Sequence, residues 1–441
     1  GSFPKLNAFG MAFRARNYRI PPEDEIYVKE EPVALGSEAW KKVFPDSVWP
    51  STLPSIPALS IAIGSDFQIT PRNRSGTANN FFTGIAEVEL LTSGTLGESF
   101  SWFGALVLNE ASGSSFESQT EIERFYWQYT PRFFGDDPGL VSIRGGVFET
   151  RAAPFRDDLR LLATDHLANR FPVIPASNFN RLAKQVGIEL FGAVNGPRGR
   201  GGLRWSTGLV NGSPGGFGAF GSTTAFDSGS IKDNVEAKWD GKFDINNNKD
   251  FYARLNYKIG GMGVLGGTTD EPLKTSKNWQ DNSLTLGTFF YRGNAPYFED
   301  PVAGTGFHDS GNRFWRFGGE AELDWWNFKL TGAATFYRDN TRHNVTIGDQ
   351  SGNDFDVNIY TFEADYVALP WLIPAFRIEN VNPDYTVDDW PSFTRSSIDL
   401  TLLLRANIKA VMGGNWTYGN WHGPRPEAID DTYHLSMEMV F

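Results

Sequence analysis

Hydrophobic and polar residues alternate one by one along most of the chain from about residue 57 onward. In the run 235–245, one face carries Val235, Ala237, Trp239, Phe243 and Ile245. The other face carries Glu236, Lys238, Asp240, Lys242 and Asp244. Because successive side chains of a strand point to opposite faces, this period of two predicts β-strands with one apolar and one charged face. The sequence therefore predicts an all-β protein.

The end of the chain indicates where such strands lie. Residues 431–441 alternate strictly, and one face carries Tyr433, Leu435, Met437, Met439 and Phe441. This run resembles the closing strand of bacterial outer-membrane β-barrels, whose terminal Phe is read by the assembly machinery, and the resemblance implies a bacterial outer-membrane location. Lipid offers no hydrogen-bond partners, so a sheet can span it only by closing on itself. We therefore predict a transmembrane antiparallel up-and-down β-barrel over residues 55–441.

The alternating runs also predict how many strands the barrel has. They are 57–70, 80–92, 99–109, 121–132, 139–149, 184–194, 201–211, 231–245, 250–260, 283–293, 313–326, 328–337, 354–367, 372–381, 394–404, 407–417 and 431–441. This count is odd, whereas a barrel of hairpins needs an even one. Alternation of short and long connections places the discrepancy between 260 and 313, and a missed strand there favours eighteen strands over sixteen. Near Tyr360 the alternation changes phase, which predicts either a bulge or a strand that rises beyond the membrane.

The charged faces are predicted to line a hydrated lumen. The predicted lumen-facing residues are Glu87, Glu89, Glu236, Lys238, Asp240, Lys242, Glu320, Glu322 and Asp324. Aromatic residues near strand ends predict the girdles that flank the apolar band of a barrel. These are Trp325, Trp326, Trp371, Trp416, Tyr418 and Trp421.

Residues 150–184 form a long connection that the strand order places on the outer side. Within it, the pattern of 155–171 predicts a short amphipathic helix with apolar Leu159, Leu162 and Leu167. A long outer loop can fold into the lumen and narrow it, and its charges then select which ions pass. The candidate constriction residues are Arg151, Arg156, Asp157, Asp158, Arg160, Asp165 and Arg170. The alternative is a loop packed above the barrel.

Residues 1–54 are too irregular for strands and are predicted to plug or cap the periplasmic end. Leu6, Phe9 and Phe13 have helical spacing and could pack inside the barrel mouth. The predicted plug residues are Phe3, Leu6, Phe9, Phe13 and Tyr18.

The same stretch carries a resemblance. Phe3-Pro4, Leu6-Asn7, Phe9-Gly10, Phe13 and Asn17-Tyr18 resemble the residues that directly follow the haem motif in outer-membrane fused cytochrome–porins, which include bacterial iron oxidases. The resemblance implies a c-type haem attached through CxxCH before the barrel. The sequence has no cysteine, so these residues offer no thioether attachment. Either a haem motif directly precedes Gly1, or the protein has the barrel without the haem.

The sequence gives little support for nucleic-acid binding, a metal site or a catalytic site. A formal net charge of −12 without a basic stripe argues against nucleic acid as a partner. The five histidines do not pair in a metal-ligand pattern, and 244–250 lacks the central Gly and terminal Glu of a calcium loop. No Ser/His/Asp set can be assembled, so no catalytic site is predicted within the chain, although enzymatic activity stays open.

Two functions remain. The first is the barrel of a cytochrome–porin electron conduit across the outer membrane, for example in iron oxidation. The alternative is a passive diffusion porin, without haem, for small or cationic solutes. A lipid bilayer is the predicted partner in both cases. A periplasmic c-type cytochrome as partner, and association into trimers, are left open.

Overall fold

A computed structural model describes residues 58–71, 80–96, 99–112, 115–117, 121–131, 139–152, 161–164, 166–170, 184–212, 248–266, 279–300, 305–341, 354–383, 392–405, 408–419 and 431–440. The strands are β1 Ala58–Ile69, β2 Asn80–Leu96, β3 Phe100–Ser112, β4 Ser115–Glu117, β5 Glu121–Tyr129, β6 Ser142–Glu149, β7 Lys184–Asn195, β8 Gly202–Val210, β9 Asp250–Gly260, β10 Ser283–Asp300, β11 Thr305–Trp325, β12 Phe328–Thr341, β13 Asp354–Tyr366, β14 Leu372–Pro383, β15 Phe393–Arg405, β16 Ile408–Gly419 and β17 Thr432–Val440. Each predicted strand that lies within the described residues overlaps one of them.

The strands close into a single antiparallel barrel. Each pairs with its neighbour in the chain, and β17 returns to β1 along Ala62↔Val440 to Ile69↔Tyr433. The short β4 pairs with the end of β3 but is not part of the ring, because β3 also pairs with β5. The barrel therefore has sixteen strands, and the predicted antiparallel β-barrel is confirmed.

The preference for eighteen strands was wrong. β9 pairs directly with β10, and β10 pairs directly with β11, so no missed strand stands between them. β8 likewise pairs directly with β9. The predicted strand 231–245 lies outside the described residues, and no strand of the described barrel stands between β8 and β9. That run alternates like a strand, which is why it made the count odd.

The two faces of the barrel wall differ as lipid and a lumen require. In β9, the side chains of Phe251, Leu255 and Tyr257 are exposed on one face, whereas Tyr252 and Lys258 on the other face are buried. Large apolar side chains are exposed in the same way around the ring, which a protein in water would avoid. Girdle residues Trp325, Trp326, Trp371 and Tyr418 are exposed, Trp416 packs edge-on against Tyr433, and Trp421 lies outside the described residues. The exposed apolar face is therefore the outer face, and the polar face lines the lumen.

The phase change in β13 has a simple cause. The strand keeps one register with β12 from Phe328↔Tyr366 to Asn340↔Asp354, so the predicted bulge is absent from it. Below the change, Tyr360 and Phe362 point outward, while above it the buried Val357 and Ile359 point inward. The outward positions there are polar. The strand therefore rises beyond the apolar band, as the alternative prediction stated.

The part of the long connection that is described has little helix. Residues 161–164 form bends, and the only helical turn in the described residues of this connection is α1, Leu167–Arg170. The predicted helix over 155–171 is therefore wrong at 161–164; positions 153–160, 165 and 171 lie outside the described residues. Over the part of the chain that the structure describes, no helix is long and apolar enough to cross a membrane. The predicted plug, 1–54, lies outside the described residues.

Candidate functional site: a chain segment that crosses the lumen

The connection between β6 and β7 reaches the opposite side of the barrel. Its described residues 161–164 and 166–170, called the inward segment below, hydrogen-bond side chains of β14 and β15. In the ring of sixteen, β6 and β7 are the fifth and sixth strands, and β14 and β15 are the thirteenth and fourteenth. The separation is eight strands, which is half the circumference. The connection therefore spans the diameter of the lumen.

The inward segment is bound to β15 at successive lumen-facing positions. The Thr401 hydroxyl donates to the carbonyl of Leu161 over 2.7 Å. The backbone N–H of Ala163 donates to Asp399 Oδ2 over 2.7 Å. The hydroxyl oxygens of Thr164 and Ser397 lie 3.3 Å apart. Backbone groups that are buried away from water must find hydrogen-bond partners. These wall side chains bind the backbone groups of the segment in place of water.

Ionic groups of β14 and a tyrosine of β12 bind the next part of the segment. Arg377 Nη2 donates to the carbonyl and hydroxyl oxygens of Thr164, over 2.6 and 2.7 Å. Glu379 Oε1 accepts the backbone N–H of Leu167 over 2.7 Å. Further round the wall, the Tyr337 hydroxyl of β12 donates to the Ala168 carbonyl. Hydrogen bonds to charged groups contribute about 1.5–3 kcal/mol each, so this set is strong enough to hold the segment in place.

The charges of this wall are paired among themselves as well. Arg395 Nη2 lies 2.6 Å from Glu379 Oε2, and Arg377 Nε lies 3.3 Å from the same oxygen. Arg377 and Glu379 have completely buried side chains, with 0% exposure for both. Breaking such a buried pair is costly because it leaves one charge without compensation.

His166 joins the segment to β13. Its Nε2 lies 2.9 Å from Glu363 Oε2, so a protonated Nε2 donates to the carboxylate. Burial, and then the positive charge of Arg377, lower the pKa of His166 to about 4, although Glu363 opposes both effects. The imidazole is therefore neutral at neutral pH while the segment is docked.

Apolar contacts complete the docking. Leu161 and Leu162 form a buried cluster with Ile373 and Ala375, which lie on the lumen side of β14. Full burial of a leucine contributes roughly 1.5–3 kcal/mol relative to exposure. Leu162 was predicted to lie on the apolar face of a helix; it is buried, but in a bent segment.

The wall around β6 and β7, where the connection starts and ends, is called the root wall below. Its polar side chains are arranged differently from those of the wall that binds the inward segment. Its lumen-facing side chains form one cross-strand row, in which Arg144 faces Glu189, Glu189 faces Gly208, and Gly208 faces Tyr252. Glu189 accepts hydrogen bonds from Arg144 Nη2 over 2.9 Å and from the Tyr252 hydroxyl over 2.5 Å. A Cβ at Gly208 would collide with the Tyr252 ring, so the glycine lets the tyrosine lie across β8 and reach Glu189.

The row continues as a stack of rings and guanidinium groups. The Tyr252 and Tyr291 rings stack at 6.3 Å, and the Tyr291 hydroxyl donates to Asp250 Oδ2 over 2.8 Å. Arg316 lies over the rings of Phe314 at 4.9 Å and Tyr337 at 4.6 Å. These contacts are between wall side chains rather than with the inward segment.

The predicted constriction residues are only partly described. Arg151 lies at the root of the connection, where its Nε is 3.3 Å from Glu189 Oε1 and its guanidinium is 4.0 Å above the Phe191 ring. Arg170 is the last residue of α1. The others, Arg156, Asp157, Asp158, Arg160 and Asp165, lie outside the described residues.

The structure places five of the predicted lumen-facing residues on the inward side of the wall. Glu89 is buried and Glu87 half-buried on β2, while Glu320 accepts hydrogen bonds from Arg254 and Asn256. Lys329 Nζ lies 2.8 Å from Glu322 Oε1 and 3.4 Å from Asp324 Oδ1. Outside the described residues lie Glu236, Lys238, Asp240 and Lys242, and also the plug residues Phe3, Leu6, Phe9, Phe13 and Tyr18.

Sequence reasoning missed the residues that hold the segment. Glu363, Arg377, Glu379 and Asp399 all lie in predicted strands, and alternation with apolar neighbours was a signal for their inward orientation. No signal in one sequence shows that they bind residues more than 190 positions away.

Among the described residues, no group of three or more His, Asp or Glu side chains is arranged to hold a metal ion. His166 and His434 each hydrogen-bond a carboxylate, Glu363 and Asp399 respectively, over 2.9 Å. Gly413 faces Asp399 and leaves space for its carboxylate. His166 and His434 therefore have structural partners.

Comparison with known proteins supports the fold. No protein-family model and no curated protein matches the sequence. Among solved structures, the chain is similar to OmpF of Salmonella typhi in complex with daunomycin, at TM-score 0.53 and 10% identity, covering 87% of this chain and 97% of that one. It is also similar to a loop L8 deletion mutant of OmpT of Vibrio cholerae, at TM-score 0.52 and 8% identity, covering 88% and 99%.

The chain therefore has the fold of outer-membrane porins. The structures that share this fold are bacterial outer-membrane proteins, in agreement with the predicted location. The resemblance of residues 3–18 to fused cytochrome–porins stays a prediction.

Proposed function

We propose that this protein is an outer-membrane diffusion channel for small hydrophilic solutes, and that the inward segment forms its constriction. The observation that supports this most directly is the docking of the segment on the wall opposite its own root. A sixteen-stranded barrel encloses an interior wide enough for an aqueous channel. A chain that crosses this interior near mid-height reduces the passage and sets its size limit.

The lining supports selection by size more than by sign of charge. Lumen-facing acids such as Glu320 and Glu379 are paired with Arg254 and Arg395. Where opposite charges alternate at short range, their potentials largely cancel over a Debye length of about 8 Å at physiological salt. We therefore expect weak selectivity between cations and anions. Of the small or cationic solutes that the sequence left open, this favours small solutes irrespective of charge.

Conductance in a planar bilayer tests the proposal. The double variant D399A/T401V removes two hydrogen bonds to the inward segment, so the segment should leave the wall and the conductance steps should grow, roughly twofold if half of the lumen is released. T285V is the matched control, since Thr285 faces the lumen on β10 away from the segment. Absence of stepwise conductance in the wild type and in D399A/T401V would overturn the channel.

A covalent lock gives the reverse test. The Thr164 and Ser397 oxygens are 3.3 Å apart, and the chain has no natural cysteine, so T164C/S397C provides one defined disulfide. When oxidised, this pair should hold conductance at the wild-type step size even together with D399A/T401V. Large steps from the oxidised protein would show that the segment does not set the constriction.

The electron-conduit hypothesis is the second candidate, and the resemblance of residues 3–18 is the observation that favours it. The residues present do not attach a haem covalently, because cysteine is absent. Its test is independent of conductance: the codons preceding Gly1 should encode CxxCH, and the natural protein should stain for covalent haem. A motif-free leader would defeat this hypothesis and leave the channel untouched.

A further inference from the structure

A concave hollow lies on the outer face of the barrel where β10, β11 and β12 rise toward the extracellular side. Its lining includes Phe290, Arg292, Arg313, Trp315, Arg338 and Asn340. Two cross-strand rows build it. In the lower row Arg292 faces Trp315, which faces Arg338, and in the upper row Arg313 faces Asn340. All five alternate with inward-facing Phe314 and Tyr337, so they point away from the lumen.

The hollow lies at the outer edge of the apolar band. Directly below it runs an aromatic row in which the Phe317 ring stacks on Phe336 at 4.9 Å and on Trp315 at 5.2 Å. Trp325 lies at the opposite end of β11, beside the turn to β12. The ten steps from Trp315 to Trp325 extend about 33 Å at roughly 3.3 Å per step. At a strand tilt of about 40° this covers about 25 Å, which is the height of a barrel's apolar band.

Two arginines of the hollow, Arg292 and Arg313, have no anionic partner among the residues that the structure describes. Arg338 is held by Asp356, with Nε 2.6 Å from Oδ1, and lies 5.3 Å above the Trp315 ring. Arg292 and Arg313 are exposed, and no hydrogen bond or ion pair joins either to another residue in the described part of the chain. Two guanidinium groups, on neighbouring strands, are thus presented at the depth of lipid headgroups.

We propose that this hollow binds the phosphorylated headgroup of a glycolipid in the outer leaflet. Arginine forks suit phosphate oxygens, and basic hollows at membrane surfaces recognise anionic headgroups. The acyl chains of the same lipid lie along Phe290, Phe317 and Phe336, and the phosphates contact Arg292 and Arg313. A free phosphate ion uses the arginines alone, whereas the lipid also uses the aromatic row. The inference rests on the placement of the barrel in the membrane, not on its channel activity.

Binding of defined lipids to the purified barrel tests this. Bisphosphorylated lipid A is titrated into detergent-solubilised protein, and lipid retention is measured by native mass spectrometry. We expect R292Q/R313Q to weaken retention at least tenfold and R292K/R313K to weaken it less. The matched control is R200Q/R405Q, which removes two exposed arginines next to periplasmic turns, and it should retain lipid like the wild type. Equal retention of lipid A by the wild type, R292Q/R313Q and R200Q/R405Q would overturn the site.

Further measurements distinguish a lipid phosphate from free phosphate, and a bound lipid from a second copy of the protein. Lipid A without phosphates should bind as weakly to the wild type as lipid A binds to R292Q/R313Q; equal binding of both lipids would overturn phosphate recognition. Inorganic phosphate that competes at the same concentration would overturn the lipid as source. If R292Q/R313Q changes the oligomeric state in lipid-free detergent, the hollow is a contact between copies and the proposal fails.

Discussion

Two walls of the barrel face each other across the lumen and use their polar groups in different ways. On the wall formed by β13, β14 and β15, side chains such as Arg377 and Asp399 bind backbone and hydroxyl groups of the inward segment. On the wall formed by β6, β7 and β9, Arg144, Glu189 and Tyr252 bind one another.

This difference indicates which wall depends on the inward segment for its hydrogen bonds. The docking wall places buried charged groups against the segment, so loss of the segment would remove hydrogen-bond partners of Arg377, Glu379 and Asp399. On the root wall, the bonds of Arg144 and Tyr252 to Glu189 do not involve the segment, so we expect them to persist whether the segment is docked or not. If the inward segment forms the proposed constriction, a solute would therefore pass along the root wall.

The largest expected effect comes from removing a carboxylate from the docking wall. In E379Q, buried Arg377 and Arg395 lose their shared anion, and Leu167 N–H keeps only an amide oxygen as acceptor. We expect the free energy of unfolding, measured in urea with protein in lipid vesicles, to fall by about 3–5 kcal/mol.

The matched variant on the root wall is E189Q, which also deprives two arginines, Arg144 and Arg151, of a carboxylate. Its stability should fall by a comparable amount. Docking should distinguish the two: a cysteine at the buried position 168 (A168C) should react quickly with maleimide in E379Q and slowly in E189Q. Equal labelling would remove the difference between the walls.

A second, smaller effect follows from His166. Its pKa is about 4 when the segment is docked and about 6.5 when the imidazole is solvated, so the undocked state binds more protons between these values. Docking is therefore fully favoured above pH 6.5 and weakens as the pH falls toward 4, by up to about tenfold per pH unit in the docked-to-undocked ratio.

The labelling rate of A168C between pH 7 and pH 5 checks this, expressed relative to the same label at the exposed position 249 (K249C). The ratio should rise as the pH falls. H166Q keeps a donor for Glu363 but does not titrate, so its ratio should stay flat over this range. A rise in H166Q as steep as in the wild type would assign the pH dependence to other groups.

Alternation alone predicts most of the fold, because in a barrel each strand has one lipid face and one lumen face. Thus 250–260 was placed at the bounds that β9 has. The predicted strand number was wrong because 231–245 has the same alternation although β8 pairs directly with β9, and periodicity does not encode pairing partners.

The candidate site was predictable only in part for a related reason. A long outer connection between charged strands predicted a constriction near residues 150–184, and the inward segment lies within it. The docking partners are far away in sequence: Ala163 and Asp399 are 236 residues apart. The bent shape of 161–164 follows from those partners, so local helical spacing gave a helix where tertiary hydrogen bonds produce bends.

The smallest effect on stability is expected from removing a single tyrosine hydroxyl group. Comparing one such variant on each wall tests whether only the docking wall holds the inward segment. In Y252F, Glu189 loses one hydrogen bond but keeps Arg144 and Arg151, so stability should fall by about 1 kcal/mol and labelling of A168C should not change. In Y337F, the lost bond is the one to the Ala168 carbonyl, so a similar loss of stability should come with faster labelling of A168C. Urea unfolding and maleimide kinetics measure both quantities on the same protein. Faster labelling in Y252F as well would mean that the root wall also holds the segment, and that the two walls share one task.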